Sequence, residues 1–182
     1  MPHGPGLGSH AVVGLGNPGA EYEGARHNVG QRVLDLLARR LHARFHRDKR
    51  AHVARAAWNG EAVVLIKLQS FMNVSGPAVL AALAHVGASS EDLILVYDDI
   101  DLPLGVVRVR MKGSHGGHRG VRSVIETLGT SDIKRVKIGI GRPATRDDVA
   151  DHVLSRFDPD ELPVVDQAVA EAGERVLALI RS

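Results

Sequence analysis

The stretch that decides the fold is Ala11–Gly19, AVVGLGNPG, where a short apolar run meets a glycine-rich turn. Gly14, Gly16 and Gly19 have the G-x-G-x-x-G spacing that follows the first strand of dinucleotide-binding domains. In those domains a helix contains the last glycine, and an acidic residue about 20 positions further on ends the second strand. The stretch therefore predicts a strand followed by a tight turn, and it raises the question of a nucleotide cofactor.

The surrounding residues argue against that cofactor. Pro18 disfavours helical backbone at Asn17, and Gly19 and Gly24 enclose a polar stretch that is typical of a loop. Asp35, the acid at the expected distance, falls inside an amphipathic helix predicted over residues 29–41. We therefore expect the loop to carry chemistry of another kind, through polar residues that a turn alone does not require: Asn17, Tyr22, Arg26, His27 and Asn28.

Strand-like and helix-like segments alternate along the rest of the chain. Asn59-Gly60 between two apolar runs predicts a β-hairpin over residues 53–68. Apolar runs predict further strands at 93–97, 106–110 and 136–140, and periodic segments predict helices at 77–86, 121–128, 150–154 and 162–180. This order predicts one three-layer α/β domain over residues 11–182, with a mixed central β-sheet flanked by helices, after a flexible N-terminal tail at 1–10.

Composition limits the class of protein. The 182 residues contain no cysteine, which excludes disulfides and thiolate metal sites and fits an intracellular, cytoplasmic setting. No apolar run reaches the roughly 18 residues of a membrane span, so we expect no membrane partner. The net charge is only +2, and a basic surface therefore requires clustering of lysines and arginines.

Polar side chains follow several predicted strands at the point where each strand ends. Asn73 follows the hairpin, Asp98 follows the strand at 93–97, and His118 lies in a glycine-rich loop after the strand at 106–110. In open α/β sheets such strand ends converge on one crevice, where these residues, Asn17 and His27 could supply a general base, its orienting acid and amide donors. Each also has a purely structural interpretation as a turn, capping or strand-end residue.

Other chemistries have weaker support. No G-x-S-x-G motif is present, so water is the expected nucleophile. His115-x-x-His118 suggests zinc, but it lies in a glycine loop and lacks the glutamate of H-E-x-x-H. We therefore expect no metal and no other cofactor.

Basic residues cluster near these loops. Arg108, Arg110 and Lys112 alternate along a strand, and five more follow in the next helix and strand: Arg119, Arg122, Lys134, Arg135 and Lys137. The cluster is either a solvated surface or a set of phosphate contacts. Aromatic residues make up 3% of the chain, which argues against recognition by base stacking.

Five motifs in order resemble those of the bacterial-type peptidyl-tRNA hydrolase family, over about residues 11 to 180. They are GLGNPG-x2-Y-x3-RHN-x-G (14–30), FMN-x-SG (71–76), DD-x-DLP-x-G (98–105), HGGH-x-G (115–120) and KIGIGRP (137–143). The resemblance implies hydrolysis of the ester between a peptide and the 3′ end of tRNA, by a mostly monomeric, metal-free enzyme that recycles peptidyl-tRNA dropped from ribosomes.

The resemblance also implies roles for individual residues. His27 matches the general base and Asp98 its orienting carboxylate, while Asn17 and Asn73 match amides that hold the peptide backbone, the water and the oxyanion. Met72 and Phe71 match residues of the site and Tyr22 lies at its rim. His118 matches a contact to the 3′ CCA end, and Arg110 and Lys137 match the clamp on the tRNA 5′-phosphate.

The sequence departs from the family at three places. Arg119 stands where the family usually has asparagine, and Arg110 where it more often has lysine. The sequence also ends soon after Ile180, so we expect weaker or more salt-sensitive tRNA binding. Two other function classes stay open at this point: a non-catalytic RNA-binding relative of the splicing-factor type, and an unrelated metal-dependent hydrolase.

Overall fold

Seven strands form one sheet in a computed structural model of the protein, which describes residues 9–145 and 148–180. They are β1 (His10–Gly14), β2 (His46–Asp48), β3 (Ala51–Trp58), β4 (Glu61–Leu68), β5 (Leu93–Asp99), β6 (Val107–Arg110) and β7 (Lys134–Gly139). Their order across the sheet is β2-β3-β4-β1-β5-β7-β6. The central strands β4, β1, β5 and β7 are parallel neighbours, whereas β2, β3 and β6 pair antiparallel. The prediction of a mixed sheet is confirmed.

Among residues 9–145 and 148–180, five α-helices accompany the sheet: α1 (Val29–Arg40), α2 (Ser75–Val86), α3 (Arg119–Leu128), α4 (Val149–Leu154) and α5 (Leu162–Leu179). In the described part of the chain, none of the helices combines the length and apolar character needed to cross a membrane. The predicted N-terminal tail falls mainly on residues 1–8, which lie outside the described residues, and β1 already begins at His10.

Side chains alternate between the two faces of the sheet along each strand, and each face forms one hydrophobic core. On one face, Val12 of β1 and Val96 of β5 pack with α1 and α5, and on the other, Val13 and Leu95 pack with α2 and α3. Successive side chains of a strand point to opposite faces, so the buried central strands read as nearly continuous apolar runs. The three-layer α/β architecture is therefore confirmed.

Local signals explain most element boundaries. Asn59 and Gly60 have φ of 52° and 77°, the left-handed conformation that a tight hairpin turn requires, and β3 pairs with β4 as predicted. Helix α3 begins at Arg119, two residues before the predicted start, because the His118 side chain accepts hydrogen bonds from the backbone N–H groups of Gly120 and Val121. Strand β2, which has the sequence HRD, was not predicted because it lacks an apolar run.

The glycines of the first turn serve packing. No α-helix begins at Gly19: two single 3₁₀ turns, Ala20–Tyr22 and Arg26–Asn28, precede α1. A Cβ atom on Gly14 would lie 2.8 Å from the carbonyl oxygen of Gly30, and one on Gly30 would lie 2.2 Å from that of Val96. The glycines thus let α1 lie directly on β1 and β5, and the dinucleotide-binding interpretation is excluded, as the sequence indicated.

Candidate active site

The catalytic residues suggested by the sequence meet where the parallel strands end. Asp98 is near the end of β5, and His27 lies in the 3₁₀ turn immediately before α1. The Nδ1 atom of His27 is 2.9 Å from Oδ1 and 2.8 Å from Oδ2 of Asp98. The side chain of Asp98 is 1% exposed and that of His27 is 12% exposed. The carboxylate is therefore buried beneath an imidazole whose other nitrogen, Nε2, has no hydrogen-bonding partner among the described residues.

His118 contacts the same carboxylate from the other side. Its Nε2 is 3.0 Å from Oδ1 of Asp98, and its Nδ1 accepts from the backbone N–H groups of Gly120 and Val121 at 3.1 and 3.3 Å. Because Nδ1 uses its lone pair at the start of α3, the proton of the neutral ring is on Nε2, which donates to Asp98. His118 is thus fixed in one tautomer by the helix that it caps.

Two imidazole donors keep Asp98 ionised. Burial opposes the charge, but attraction to His27 and His118 and the hydrogen bonds from both rings outweigh it, and the pKa of Asp98 is lowered well below its usual range. The neighbouring Tyr97 behaves in the opposite way, since burial raises its pKa to about 12. Asp98 is therefore a permanent carboxylate that can orient His27 and stabilise a positive charge on its ring.

Asn17 is held in place by its own backbone and by one side-chain oxygen. Its backbone N–H donates to Oδ1 of Asn28 at 3.0 Å, and Nδ2 of Asn28 donates back to its carbonyl oxygen at 2.9 Å. Its Oδ1 accepts from the backbone N–H of Met72 at 2.7 Å. Within residues 9–145 and 148–180 no acceptor is bonded to its Nδ2, so this amide group is left to donate to a ligand.

The segment after β4 forms the next wall. Met72 is buried, and its carbonyl oxygen accepts from the hydroxyl of Ser75 at 2.7 Å. Asn73 follows in the same 3₁₀ turn with its side chain exposed and without a hydrogen-bonding partner among the described residues. Phe71 is 55% exposed and makes an edge-to-face contact with Tyr22 at 6.3 Å between ring centroids. Two aromatic rings therefore border this side of the site.

The basic side of the site comes from β6 and β7. Arg108 is the direct partner of Lys137 across the two strands, so Arg108, Arg110 and Lys137 lie on one face of the sheet. The Nζ atom of Lys137 is 3.2 Å from Oδ2 of Asp99. Arg135 differs from the basic cluster that the sequence suggested: it is 2% exposed and donates to the carbonyl oxygens of four loop residues, Ile133, Gly113, Ser114 and Ser131. Arg135 is therefore a structural residue.

One open cleft of about 1110 Å³ joins these parts. Of the residues that the sequence proposed for catalysis or binding, ten line the cleft: Asn17, His27, Phe71, Met72, Asn73, Asp98, Arg110, His118, Arg119 and Lys137. Tyr22 does not line it and contributes only through Phe71. The opposite wall includes four residues of α4, Val149, Ala150, Val153 and Leu154, which no sequence motif had suggested.

Sequence analysis named Arg26 among the polar residues of the first loop, but it missed the contacts through which Arg26 holds the turn of His27 in position. Arg26 is 6% exposed, forms an ion pair with Glu161 at 2.9 Å and donates from Nε to the hydroxyl of Ser155 at 3.0 Å. Its guanidinium lies over the ring of Phe157 at 5.1 Å. The sequence could not indicate these partners, because they lie more than a hundred residues away from Arg26.

The site also contains a possible set of metal ligands. His27, Asp98 and His118 each present a donor atom, and these atoms lie within 4.8 Å of one another. Both histidines are hydrogen-bonded to Asp98, and a metal would have to replace those hydrogen bonds. His115, the other histidine of the predicted zinc pair, accepts from the backbone N–H of Gly117 at 2.9 Å and is not part of this group.

Comparisons with known proteins identify the family. The family model for peptidyl-tRNA hydrolase matches residues 11–182. The peptidyl-tRNA hydrolase of Halalkalibacterium halodurans is 47% identical over 90% of both chains, and that of Aquifex aeolicus is 49% identical over 88% of this chain and 84% of the relative. The crystal structure of peptidyl-tRNA hydrolase from Acinetobacter baumannii superposes with a TM-score of 0.87 at 31% identity, covering 92% of this chain and 86% of that one. The chain described here belongs to the peptidyl-tRNA hydrolase family.

Proposed function

We propose that this protein hydrolyses the ester that links a peptide to the 3′-terminal ribose of tRNA, releasing the peptide and free tRNA. The observation that carries the proposal is the hydrogen bond from His27 to the buried Asp98 at the floor of a cleft whose far side is basic. This arrangement supports a role for His27 and Asp98 in activating water, beside a basic surface that can bind phosphates. The substrate would be peptidyl-tRNA that has dropped off the ribosome, met in the cytoplasm by a monomeric enzyme.

In this proposal His27 is the general base. Its Nδ1–H donates to Asp98, so the lone pair of Nε2 can accept a proton from a water molecule as that water attacks the ester carbonyl. The ring then becomes an imidazolium, which the adjacent carboxylate of Asp98 stabilises. The same proton can pass to the ribose oxygen as the tRNA leaves, which restores the neutral imidazole.

Two asparagines would hold the reacting groups. Nδ2 of Asn17 is available as a donor because Met72 occupies its Oδ1, so Asn17 would bind a carbonyl oxygen of the peptide. Asn73 is exposed on the next loop and would position the water or donate to the oxyanion, a contribution on the order of 3 kcal/mol. Met72, Phe71 and Tyr22 would form the apolar border that the first peptide side chain meets.

The tRNA would occupy the other half of the cleft. His118 and Arg119 lie at the start of α3, close to where the 3′ CCA end must place its ester. Arg110 and Lys137 would bind the 5′-phosphate with charge-assisted hydrogen bonds. Because Arg119 is a long cation in place of the usual asparagine, we propose that it contacts a phosphate of the 3′ strand.

The test compares two tRNA esters that differ in one group. Purified protein is incubated with N-blocked aminoacyl-tRNA and with the same aminoacyl-tRNA bearing a free amine, and we expect release only from the blocked form. His27→Ala should lower kcat by at least about a thousandfold, since it removes the general base, while KM changes little. Release from neither ester would favour a binding protein, and loss of activity with a chelator would indicate a metal-dependent hydrolase.

A further inference from the structure

Positive charge is concentrated in one segment that the proposed function does not use. Residues 39–55 contain seven of the 23 lysines and arginines and only one of the 21 acidic residues. The remainder of the chain has 16 basic and 20 acidic residues and is net acidic. The small net charge of the protein therefore conceals a strongly basic segment in a chain that is otherwise net acidic.

This region lies at an outer edge of the sheet. Strand β2 is the outermost strand on the side opposite β6, and it turns into β3 through Lys49 and Arg50. We use the name β2 basic edge for Arg44, Arg47, Lys49 and Arg50, all of which are exposed. The backbone N–H of Gln69, just after β4, donates to the carbonyl oxygen of Arg50 at 3.2 Å. The turn is therefore at the same end of the sheet as the cleft.

The charges of the β2 basic edge are not neutralised by acidic side chains in the described part of the chain. In the described ranges, no acidic side chain lies within 4.0 Å of a charged nitrogen of these four residues. Asp48, the single acid of the segment, is occupied elsewhere: its Oδ1 is 2.9 Å from Nε2 of His85 in α2, and its Oδ2 is 3.5 Å from Arg55. Four cations thus remain for a partner.

The chemistry of this edge fits RNA phosphates. Three of the four cations are arginines, whose planar guanidinium groups bind phosphates through two hydrogen bonds. Stable membrane association needs apolar side chains in addition to charge, but Phe45, the large apolar side chain between Arg44 and Arg50, packs against the core. We propose that the β2 basic edge binds the phosphate backbone of a structured RNA, without reading its sequence.

This RNA is a second molecule, distinct from the tRNA in the cleft. The proposed clamp is on β6 and β7, and β2 is six strand spacings from β6, about 29 Å at about 4.8 Å for each spacing. The 3′ strand of a bound tRNA would run from the clamp to His27, so its acceptor stem lies on the clamp side. The β2 basic edge lies at the opposite side of the sheet from the clamp, which leaves room for another RNA.

The experiment measures binding of a labelled 16-base-pair RNA duplex with 5′-hydroxyl ends, at salt concentrations from 50 to 200 mM. The parent is compared with Arg47→Gln/Arg50→Gln, which removes two cations of the edge, and with Arg32→Gln/Arg175→Gln, which makes the same change in net charge elsewhere. Each lost phosphate contact should lower the slope of log affinity against log salt by about 0.9. Between 50 and 200 mM salt, the fold-loss of duplex affinity should be about tenfold smaller in the edge variant than in the parent, and unchanged in the control variant. Hydrolysis of N-blocked aminoacyl-tRNA should be unchanged.

Several results would overturn the proposal. An unchanged slope in the edge variant, an equal loss in both variants, or loss only in Arg110→Gln/Lys137→Gln would each show that the edge does not bind the duplex. Displacement of the duplex by an acidic peptide at equal charge concentration would indicate a protein partner. Cations on edge strands also prevent sheet-to-sheet association. If the edge variant self-associates in light scattering while its duplex binding is retained, that protective role replaces RNA binding.

Discussion

Both ring nitrogens of His118 are hydrogen-bonded to the protein, and we propose that His118 acts through the carboxylate of Asp98. The resemblance to the family implied a contact to the substrate, whereas the geometry ties both ring nitrogens to the protein: one to Asp98 and one to the first turn of α3. A residue in this position helps to fix Asp98, and through it the orientation and tautomer of His27. The hydrogen bond from His118 also helps Asp98 to remain ionised while it is buried.

We therefore expect His118→Ala to lower kcat more than it raises KM. The lost hydrogen bond goes to a charged group, worth about 1.5–3 kcal/mol, so kcat should fall by about ten- to a hundredfold. Steady-state kinetics with N-blocked aminoacyl-tRNA measures both constants. His115→Ala removes the same ring from the same loop without a bond to Asp98, and we expect a smaller fall in kcat. A large rise in KM at unchanged kcat would instead mean that His118 binds substrate.

A functional role could be predicted from sequence only for residues that belong to a motif. His27 and Asp98 stand in ordered motifs, and the structure brings them within hydrogen-bonding distance. The sequence could not reveal that Oδ1 of Asn17 is already used by the backbone of Met72, since this contact joins two loops 55 residues apart. It also could not separate Arg135 from its basic neighbours, because burial of one arginine in a strand depends on which loop covers it.

At the scale of elements, the turn before α1 is joined to the segment between α4 and α5. The backbone N–H of Arg26 donates to the carbonyl oxygen of Ser155 at 2.9 Å, and Ala25 pairs with Arg156 in an isolated β-bridge. The Arg26–Glu161 ion pair closes the same connection. Because α4 lines the cleft and directly precedes Ser155, this connection links one wall of the cleft to His27.

Glu161→Gln should weaken this connection in a pH-dependent way. The hydrogen bond from Arg26 lowers the pKa of Glu161 below its usual 4.5, although burial opposes the shift. Because the folded state favours the ionised carboxylate, ionised Glu161 stabilises the fold above about pH 4.5. This stabilisation is lost as the pH falls through the pKa of Glu161 in the folded state. We expect a loss of about 2 kcal/mol in the free energy of unfolding at pH 7 and a smaller loss at pH 3.5, measured by urea denaturation.

The matched control is the exposed ion pair between Arg32 and Asp166, whose side chains are 33% and 69% exposed. Solvent screens such a pair, so Asp166→Asn should change the free energy of unfolding by less than about 0.5 kcal/mol at either pH. Equal effects of Glu161→Gln at pH 7 and pH 3.5 would contradict a charge-dependent role for the Arg26–Glu161 pair.

Helix α1 depends on a close approach at Gly30. A Cβ atom there would lie 2.2 Å from the carbonyl oxygen of Val96, which is backbone and cannot move aside. Gly30→Ala should therefore destabilise the protein by about 3 kcal/mol and also lower kcat, because α1 begins two residues after His27. Thermal unfolding and kinetics test both effects. In Gly173→Ala the nearest atom is the flexible Cδ2 of Leu36 at 2.9 Å, so a nearly neutral result is expected.

The elements that could be predicted are those with strong local signals. The Asn59-Gly60 hairpin and the apolar strands β1 and β5 were correctly located because turn chemistry and continuous apolar runs are visible in sequence. Strand β2 is three polar residues long, and it exists because β3 offers it a free edge. The start of α3 was misplaced because its N-cap is a histidine, a residue that rarely caps helices.

At the scale of the whole molecule, charge divides along the sheet. One edge carries the clamp candidates on β6 and β7, the centre carries the His27–Asp98 pair, and the far edge carries the β2 basic edge. The strand order could not be derived from sequence, because β1 lies between β4 and β5, which follow it in the chain. This order is what separates the two basic surfaces by the width of the sheet.

The clamp makes a prediction that depends on Asp99. Lys137 is 3.2 Å from the Asp99 carboxylate, so Lys137→Gln removes one cation and also leaves a negative charge to repel the tRNA 5′-phosphate. We expect KM for N-blocked aminoacyl-tRNA to rise about tenfold in Arg110→Gln and further in Lys137→Gln, with partial recovery in Lys137→Gln/Asp99→Asn. The parent should show a similarly raised KM for a substrate that carries a 5′-hydroxyl. With that substrate, Arg110→Gln should change KM little further. Arg32→Gln serves as the control. If both clamp variants still distinguish 5′-phosphate from 5′-hydroxyl tRNA as the parent does, the phosphate binds elsewhere.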